Sequence, residues 1–314
     1  MKNFKRIRPY AIMALISLGA IPLSETARAN IWNSGDALGS TYGGIVDLTT
    51  GASFMPASLN TTLTAITDIN ASTILVGDPG GRIFEVTQSG NVSLLATFSF
   101  GRIYSLATDA SGNIFAGSGN ISNSQWVTSV AEYSPTGTLL ATFGGIGDVA
   151  AVSANGQNLY GIVGNTPGIT NYNVATGTST IIPGITSTVD TSGISVLPNG
   201  NILAASNSTS TVYEINPTTG AVVSQSTATV PNAWESLAVN LAGTSFYAAA
   251  SSGGGAINEY TLAGAPVASF ATNTFFDATV VASEPGSGVL LMGMLGMLGV
   301  LMTTRSLRGR RSAV

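Results

Sequence analysis

The 314-residue chain contains no cysteine and no histidine. Without cysteine there is neither a disulfide nor a thiolate to act as nucleophile or ligand. Without histidine the commonest general base, the Ser-His-Asp triad and the usual zinc sites all fall away. Charge is scarce as well, at 8% of residues, and the cations crowd the two ends. Nine of the eleven Lys and Arg lie at or before Arg28 or at or after Arg305, which leaves Arg82 and Arg102 as the only cations of residues 30–283. Thirteen carboxylates share that span, so it is eleven units negative. Such a body repels phosphate backbones, which excludes nucleic acid as a partner. Any catalysis would fall to carboxylates.

The two ends read as addresses. Lys2, Lys5, Arg6 and Arg8 precede a short apolar stretch from Ala11 to Leu23, followed by Ala27-Arg28-Ala29. A charged start, a short apolar run and an Ala-x-Ala site predict a signal helix removed after Ala29, because thirteen residues are too few to span a bilayer comfortably. At the other end, Ser283-Glu284-Pro285 precedes an uncharged stretch of nineteen residues, 286–304, and then Arg305, Arg308, Arg310 and Arg311. This predicts a transmembrane helix over about 288–304 with its basic end in the cytoplasm. The expected division is therefore 1–29 signal peptide, 30–283 body and 284–314 tail.

The tail resembles the PEP-CTERM sorting signals of Gram-negative bacteria, in which Pro-Glu-Pro, a glycine-containing apolar helix and an arginine cluster occur in that order. Ser283 stands where the first proline of the pattern would be. The resemblance implies recognition by an exosortase-type membrane protease, cleavage near Glu284-Pro285, and delivery to the cell surface or the extracellular polysaccharide.

The body repeats. A glycine turn recurs at Gly51, Gly90, Gly137, Gly177, Gly220 and Gly264, spaced by 39 to 47 residues. Before most of these turns an aromatic residue stands beside an acid or amide, as in Phe84-Glu85, Glu132-Tyr133, Asn171-Tyr172, Tyr213-Glu214 and Glu259-Tyr260. Periods near 40 with four strand-like segments each predict an all-β, six-bladed β-propeller. Phe276-Asp277 through Val281 repeats the pattern of Trp234-Glu235 through Val239, while Asn30-Ile31-Trp32 lines up with Asn113-Ile114-Phe115. The expectation is a shared closing blade, one strand from the C-terminal end and three from the N-terminal end, starting at Ile31-Trp32. The copies resemble NHL and YVTN propeller repeats, which implies fold more than function.

Candidate site residues are few. Aligned first strands put Leu63, Tyr104, Asp148, Ser192, Glu235 and Asp277 at one position, and Asp148, Glu235 and Asp277 there could hold a divalent cation through oxygen ligands. Solvated acids at strand starts are the simpler reading, so no metal or cofactor is expected. The metal alternative resembles gluconolactonase-like propellers and implies a lactonase-like hydrolase. Arg82 and Arg102 would each pair with a local carboxylate or contact an anionic sugar. Asn60, Asn91, Asn120 and Asn207 match a glycosylation pattern at a frequency that chance explains. Trp32 and Trp234 fit strand packing, whereas Trp126, in a long linker after Asn120, is freer to stack on a sugar. The expected function is non-enzymatic: a binding or structural component of the surface or matrix, with polysaccharide or a surface protein as partner.

Overall fold

A computed structural model describes residues 30–281, apart from 42–43, 57–58, 60, 123–124, 145, 147, 154–155, 163–167, 184–190, 207–208, 229–236, 250–255 and 271–274. The signal segment with Ala27 and Ala29, the tail from Ser283 to Arg311, and Glu235, Trp234, Asn60 and Asn207 lie outside the described residues.

Strands follow one another in fours. Three open the chain, β1 (Ala37–Thr41), β2 (Gly44–Asp47) and β3 (Ser53–Phe54). Blade 2 is β4 (Ala65–Asn70), β5 (Thr73–Gly77), β6 (Arg82–Thr87) and β7 (Val92–Thr97). Blade 3 is β8 (Ser105–Thr108), β9 (Ile114–Ser122), β10 (Gln125–Tyr133) and β11 (Leu139–Gly144). Blade 4 is β12 (Asp148–Val152), β13 (Asn158–Ile162), β14 (Thr170–Asn173) and β15 (Thr178–Ile181). Blade 5 is β16 (Thr191–Val196), β17 (Ile202–Ser206), β18 (Thr211–Ile215) and β19 (Val222–Gln225). Blade 6 is β20 (Leu237–Val239), β21 (Ser245–Ala249), β22 (Ile257–Thr261) and β23 (Pro266–Phe270), and β24 (Phe275–Val280) ends the series. The sheets are antiparallel, and β24 joins β1, β2 and β3 in the order β24-β1-β2-β3. The body is thus an all-β six-bladed propeller closed by one strand from one end and three from the other.

Burial explains the arrangement. The second strand of a blade is covered on both faces by its neighbours, so Thr73–Gly77 and Ile202–Ser206 are buried at every position. The fourth strands Thr178–Ile181 and Val222–Gln225 are exposed at every position. Six apolar clusters fill the six gaps between blades. One joins Trp32, Leu38 and Ile45 to Ile66, Ile74 and Phe84 across blades 1 and 2. The last joins Ala238 and Ile257 of blade 6 to Ala37, Val46, Ala278 and Val280 of blade 1.

The six turn glycines all take positive φ, from 67° at Gly177 to 98° at Gly264, which a side chain resists. Close packing adds a second reason. A Cβ on Gly137 would meet the carbonyl oxygen of Leu95, and one on Gly220 would meet that of Pro183, each on the preceding blade.

Two expectations are corrected. The second strand of the closing blade is Ala37–Thr41, not Ile31-Trp32. Trp32 instead plugs the gap between blades 1 and 2, 1% exposed, with its indole N–H donating to the Ala71 carbonyl at 3.2 Å. The stretch after Asn120 is not a linker either: β9 and β10 pair continuously from Ile114↔Tyr133 to Ser122↔Gln125, and Trp126 lies opposite Ile121.

Candidate functional site

The six first strands β4, β8, β12, β16, β20 and β24 run side by side down the axis and enclose a channel of about 220 Å³. Each is bonded on one side only, so alternate backbone N–H and C=O groups face the channel and need partners. Asp277 supplies one across the closing seam, its Oδ2 accepting from the Ile66 N–H at 2.9 Å. Asp68 faces the same seam from blade 2, and its Oδ1 accepts from the Thr279 hydroxyl at 3.2 Å. Its backbone carbonyl accepts from the Thr108 hydroxyl of blade 3 at 2.9 Å. The hydroxyl of Ser105, buried beside the channel, meets no protein partner.

The six-residue ring expected from the sequence is not one register position. The N–H of Tyr104 bonds Gly117 O and that of Thr64 bonds Gly77 O, so Thr64, not Leu63, matches Tyr104. Leu63 is fully buried in the blade 1–2 core. Asp277 sits opposite Ser40 beside a register shift that moves the next pair to Thr41↔Phe275. Asp148 begins β12 opposite Ile162, its side chain beyond the described set, as are those of Ser192 and Trp126. Among the described residues no group of three or more carboxylates could hold a metal.

The body's two arginines stand beside adjoining loops, Arg82 opening β6 after the loop 78–81 of blade 2 and Arg102 in the loop 98–104 that leads from blade 2 to blade 3. Those loops are tied by Phe98 N–H to Gly81 O at 2.6 Å and by Ile103 N–H to Asp78 O at 3.4 Å. Arg82 is 47% exposed and pairs with Asp78, which is fully buried. Its Nη2 lies 2.5 Å from Asp78 Oδ2, and its Nε donates to the same oxygen at 2.8 Å. Asp78 also accepts from the N–H groups of Gly80 and Arg82 and from the Thr61 hydroxyl. The arginine lies 5.2 Å from the centre of the Phe84 ring. Arg102 lies 5.0 Å from the centre of the Tyr104 ring, and its Nε is buried without a protein acceptor. Phe100, exposed at 38%, packs edge-on to Phe98 between the two arginines in sequence.

The third-strand acids serve the scaffold. Glu132 accepts from Asn113 Nδ2 at 3.1 Å, Glu214 from Asn201 Nδ2 at 2.6 Å, and Glu259 from the Ser245 hydroxyl at 2.6 Å. Each fastens the start of the second strand to the third. Burial, with repulsion from Asp109, pushes the Glu132 carboxyl up. Hydrogen bonds from Asn201, Ser224 and Asn199 outweigh burial at Glu214 and hold its carboxyl down. Tyr247, opposite Glu259, is pushed up to about 12 by burial and by that carboxylate, so it is a hydroxyl donor at any working pH.

Asp68 and Asp78 were missed in the sequence. Asp78 opens Asp-Pro-Gly-Gly ahead of Arg82, a turn acid placed to pair with the cation four residues on. Asp68 carries no local signal; only strand register places it at the seam.

No protein family matches the chain, and no curated protein sequence does. Solved structures do resemble it. A chain of a nidogen–laminin complex is 14% identical over 79% of this chain and 99% of its own, with a TM-score of 0.66. A Bacteroides caccae protein of unknown function is 12% identical over 78% and 98%, with a TM-score of 0.55. A streptogramin B lyase is 13% identical over 65% and 67%, with a TM-score of 0.50. At such identities the likeness is one of fold, the β-propeller that the NHL- and YVTN-like repeats imply.

Proposed function

We propose that this propeller is exported, delivered to the cell surface by its PEP-CTERM-like tail and an exosortase-type protease, and there binds an anionic extracellular polysaccharide without transforming it. The observation that carries the binding role is the arginine pair beside the joined loops at the blade 2–blade 3 boundary, each guanidinium over an aromatic ring. In a body eleven units negative, this is where a carboxylated sugar meets positive charge, chiefly at Arg102 because Arg82 is already paired with Asp78, and the exposed Phe100 two residues before Arg102 offers a ring to its C–H surface. The two described channel carboxylates, by contrast, are engaged in closing the ring.

A glycan array probed with residues 30–283 tests the reading. Retention on uronate-bearing glycans over neutral ones is expected, lost on Arg102→Gln and weakened on Arg82→Gln. Stoichiometric calcium or zinc binding with lactone hydrolysis would overturn it in favour of the hydrolase alternative. Delivery is tested separately by intact mass of the surface protein, which should end near Pro285.

A further inference from the structure

Each blade presents the outer edge of its fourth strand, a row of backbone donors and acceptors paired on one side only. Such an edge is a template for another strand, and proteins normally blunt it with charge, proline or a bulge. The edges of β7, β11, β15, β19 and β23 contain no charged residue. Most are blunted in another way. Blades 2, 3, 5 and 6 each show a register shift between third and fourth strands. Each also sets a glutamate directly behind the edge: Glu85 opposite Ser93, Glu132 opposite Ala141, Glu214 opposite Ser224 and Glu259 opposite Ala268.

Blade 4 has neither device. β14 and β15 pair in unbroken register from Thr170↔Ile181 to Asn173↔Thr178, and neutral Asn171 stands opposite Thr180 where the other blades put glutamate. The edge reads Thr178-Ser179-Thr180-Ile181, without charge or proline, and every residue is exposed, Ile181 at 56%. The Ile182 N–H points inward to Ile169 O at 2.9 Å, so by strand alternation the N–H groups of Ser179 and Ile181 point outward.

We propose that two copies of this chain pair antiparallel through β15 about a twofold axis, joining two blades into one eight-stranded sheet. The occupant is a second copy because an antiparallel edge complements itself, with each N–H meeting the symmetry-related C=O. Two bodies each eleven units negative repel, and at β15, unlike at β7, β11, β19 and β23, they approach without a glutamate behind either strand. A contact of four residues a side falls below the roughly 1,000 Å² of a stable interface, so the dimer is weak and suited to crowding at a surface.

All six sheets are completed within residues 30–281, so the body 30–283 is the unit to test. Sedimentation velocity from about 10 μM to about 1 mM should show a reversible dimer. It should strengthen as salt rises from about 0.05 M to about 0.5 M, because screening relieves the mutual repulsion. Ser179→Pro removes an outward donor and Ser179→Lys charges the edge while keeping it; each should raise the dissociation constant about tenfold or more. Asn171→Glu, which copies the other blades, should weaken the dimer by a smaller factor, and Val223→Lys on β19 should leave it unchanged. A monomer throughout, a dimer indifferent to Ser179→Lys, equal loss on Val223→Lys, or irreversible aggregates in place of a dimer would each overturn the proposal.

Discussion

Blade 5 and the closing blade have the same four-stranded sheet but reach it by different routes. In blade 5 all four strands follow one another from Thr191 to Gln225, and short turns bring each to the next. In the closing blade β24 must find β1 across more than two hundred residues, Ser40 meeting Asp277 at a separation of 237. Closing a loop of that length instead of a short turn costs about 3–4 kcal/mol more in chain entropy. The seam carries contacts that offset it. Val281 N–H bonds Asp36 O and Gly35 N–H bonds Val281 O, extending the pairing past the strand ends. Asp277 and Asp68 each reach across to the neighbouring chain segment, and Trp32 fills the gap behind. Where connectivity does not enforce closure, charged hydrogen bonds and one large aromatic do.

The sharpest way to break the contrast is to end the chain at residue 274. Losing β24 removes Ala278, Val280 and Val281 from two cores and exposes the inner edge of β1. Calorimetry should show a melting temperature lower by at least about 10 °C or no cooperative transition. A fall of a degree or two would show that five blades and a remnant suffice.

Next come the aromatic cores. Trp32→Ala and Phe246→Ala each empty a fully buried site and should cost about 3–5 kcal/mol. They should differ in hydrogen exchange: Trp32→Ala should release the amides of β24 and β1 first, whereas Phe246→Ala should lower protection throughout. Equal patterns would mean that the seam is no weaker than the continuous blades.

A smaller loss, about 1–3 kcal/mol, is expected for Asp277→Ala, which leaves the Ile66 N–H without its acceptor. Urea unfolding reads it directly, and no change in midpoint would reassign that bond to water.

The smallest effects compare two acids in equivalent places. The Glu214 carboxyl is held below 4.5, so it adds stability that is present above that pH and lost as pH falls through its lower folded value. The Glu132 carboxyl is raised above 4.5, so ionising it in the folded state costs stability as pH rises through that value. At pH 7 Glu214→Gln should lower the melting temperature and Glu132→Gln should raise it, each by about 1–2 °C. Shifts of the same sign would contradict the assignment.

Much of this fold was legible because a propeller repeats its constraints. The turn glycines and most of the third-strand acids recur in the sequence at a fixed place, so chance matches cancel, and the one-plus-three closure follows from where that repeat starts and stops. Legibility failed where the repeat is at its plainest chemically. Ala37-Leu38-Gly39-Ser40 looks like a loop beside Ile31-Trp32, yet second strands end on small residues for want of space: a Cβ on Gly77 would come 2.7 Å from Ile103 Cγ2. Aligning Gly39-Ser40 with Ala116-Gly117 would have found the strand. The channel carboxylates were harder, because Asp68 and Thr279 meet only through the closure of the whole ring.

The order β24-β1 also sets how the ring responds to force. β24 and β1 run antiparallel, with Val280 opposite Ala37, so both chain ends leave the pair on the same side. A load pulling residue 281 away from residue 36 peels the ladder open one rung at a time. It never loads the rungs together, as pulling at opposite ends would. The seam therefore opens like a zipper under tension along the chain, each step breaking one rung together with the side-chain contacts beside it.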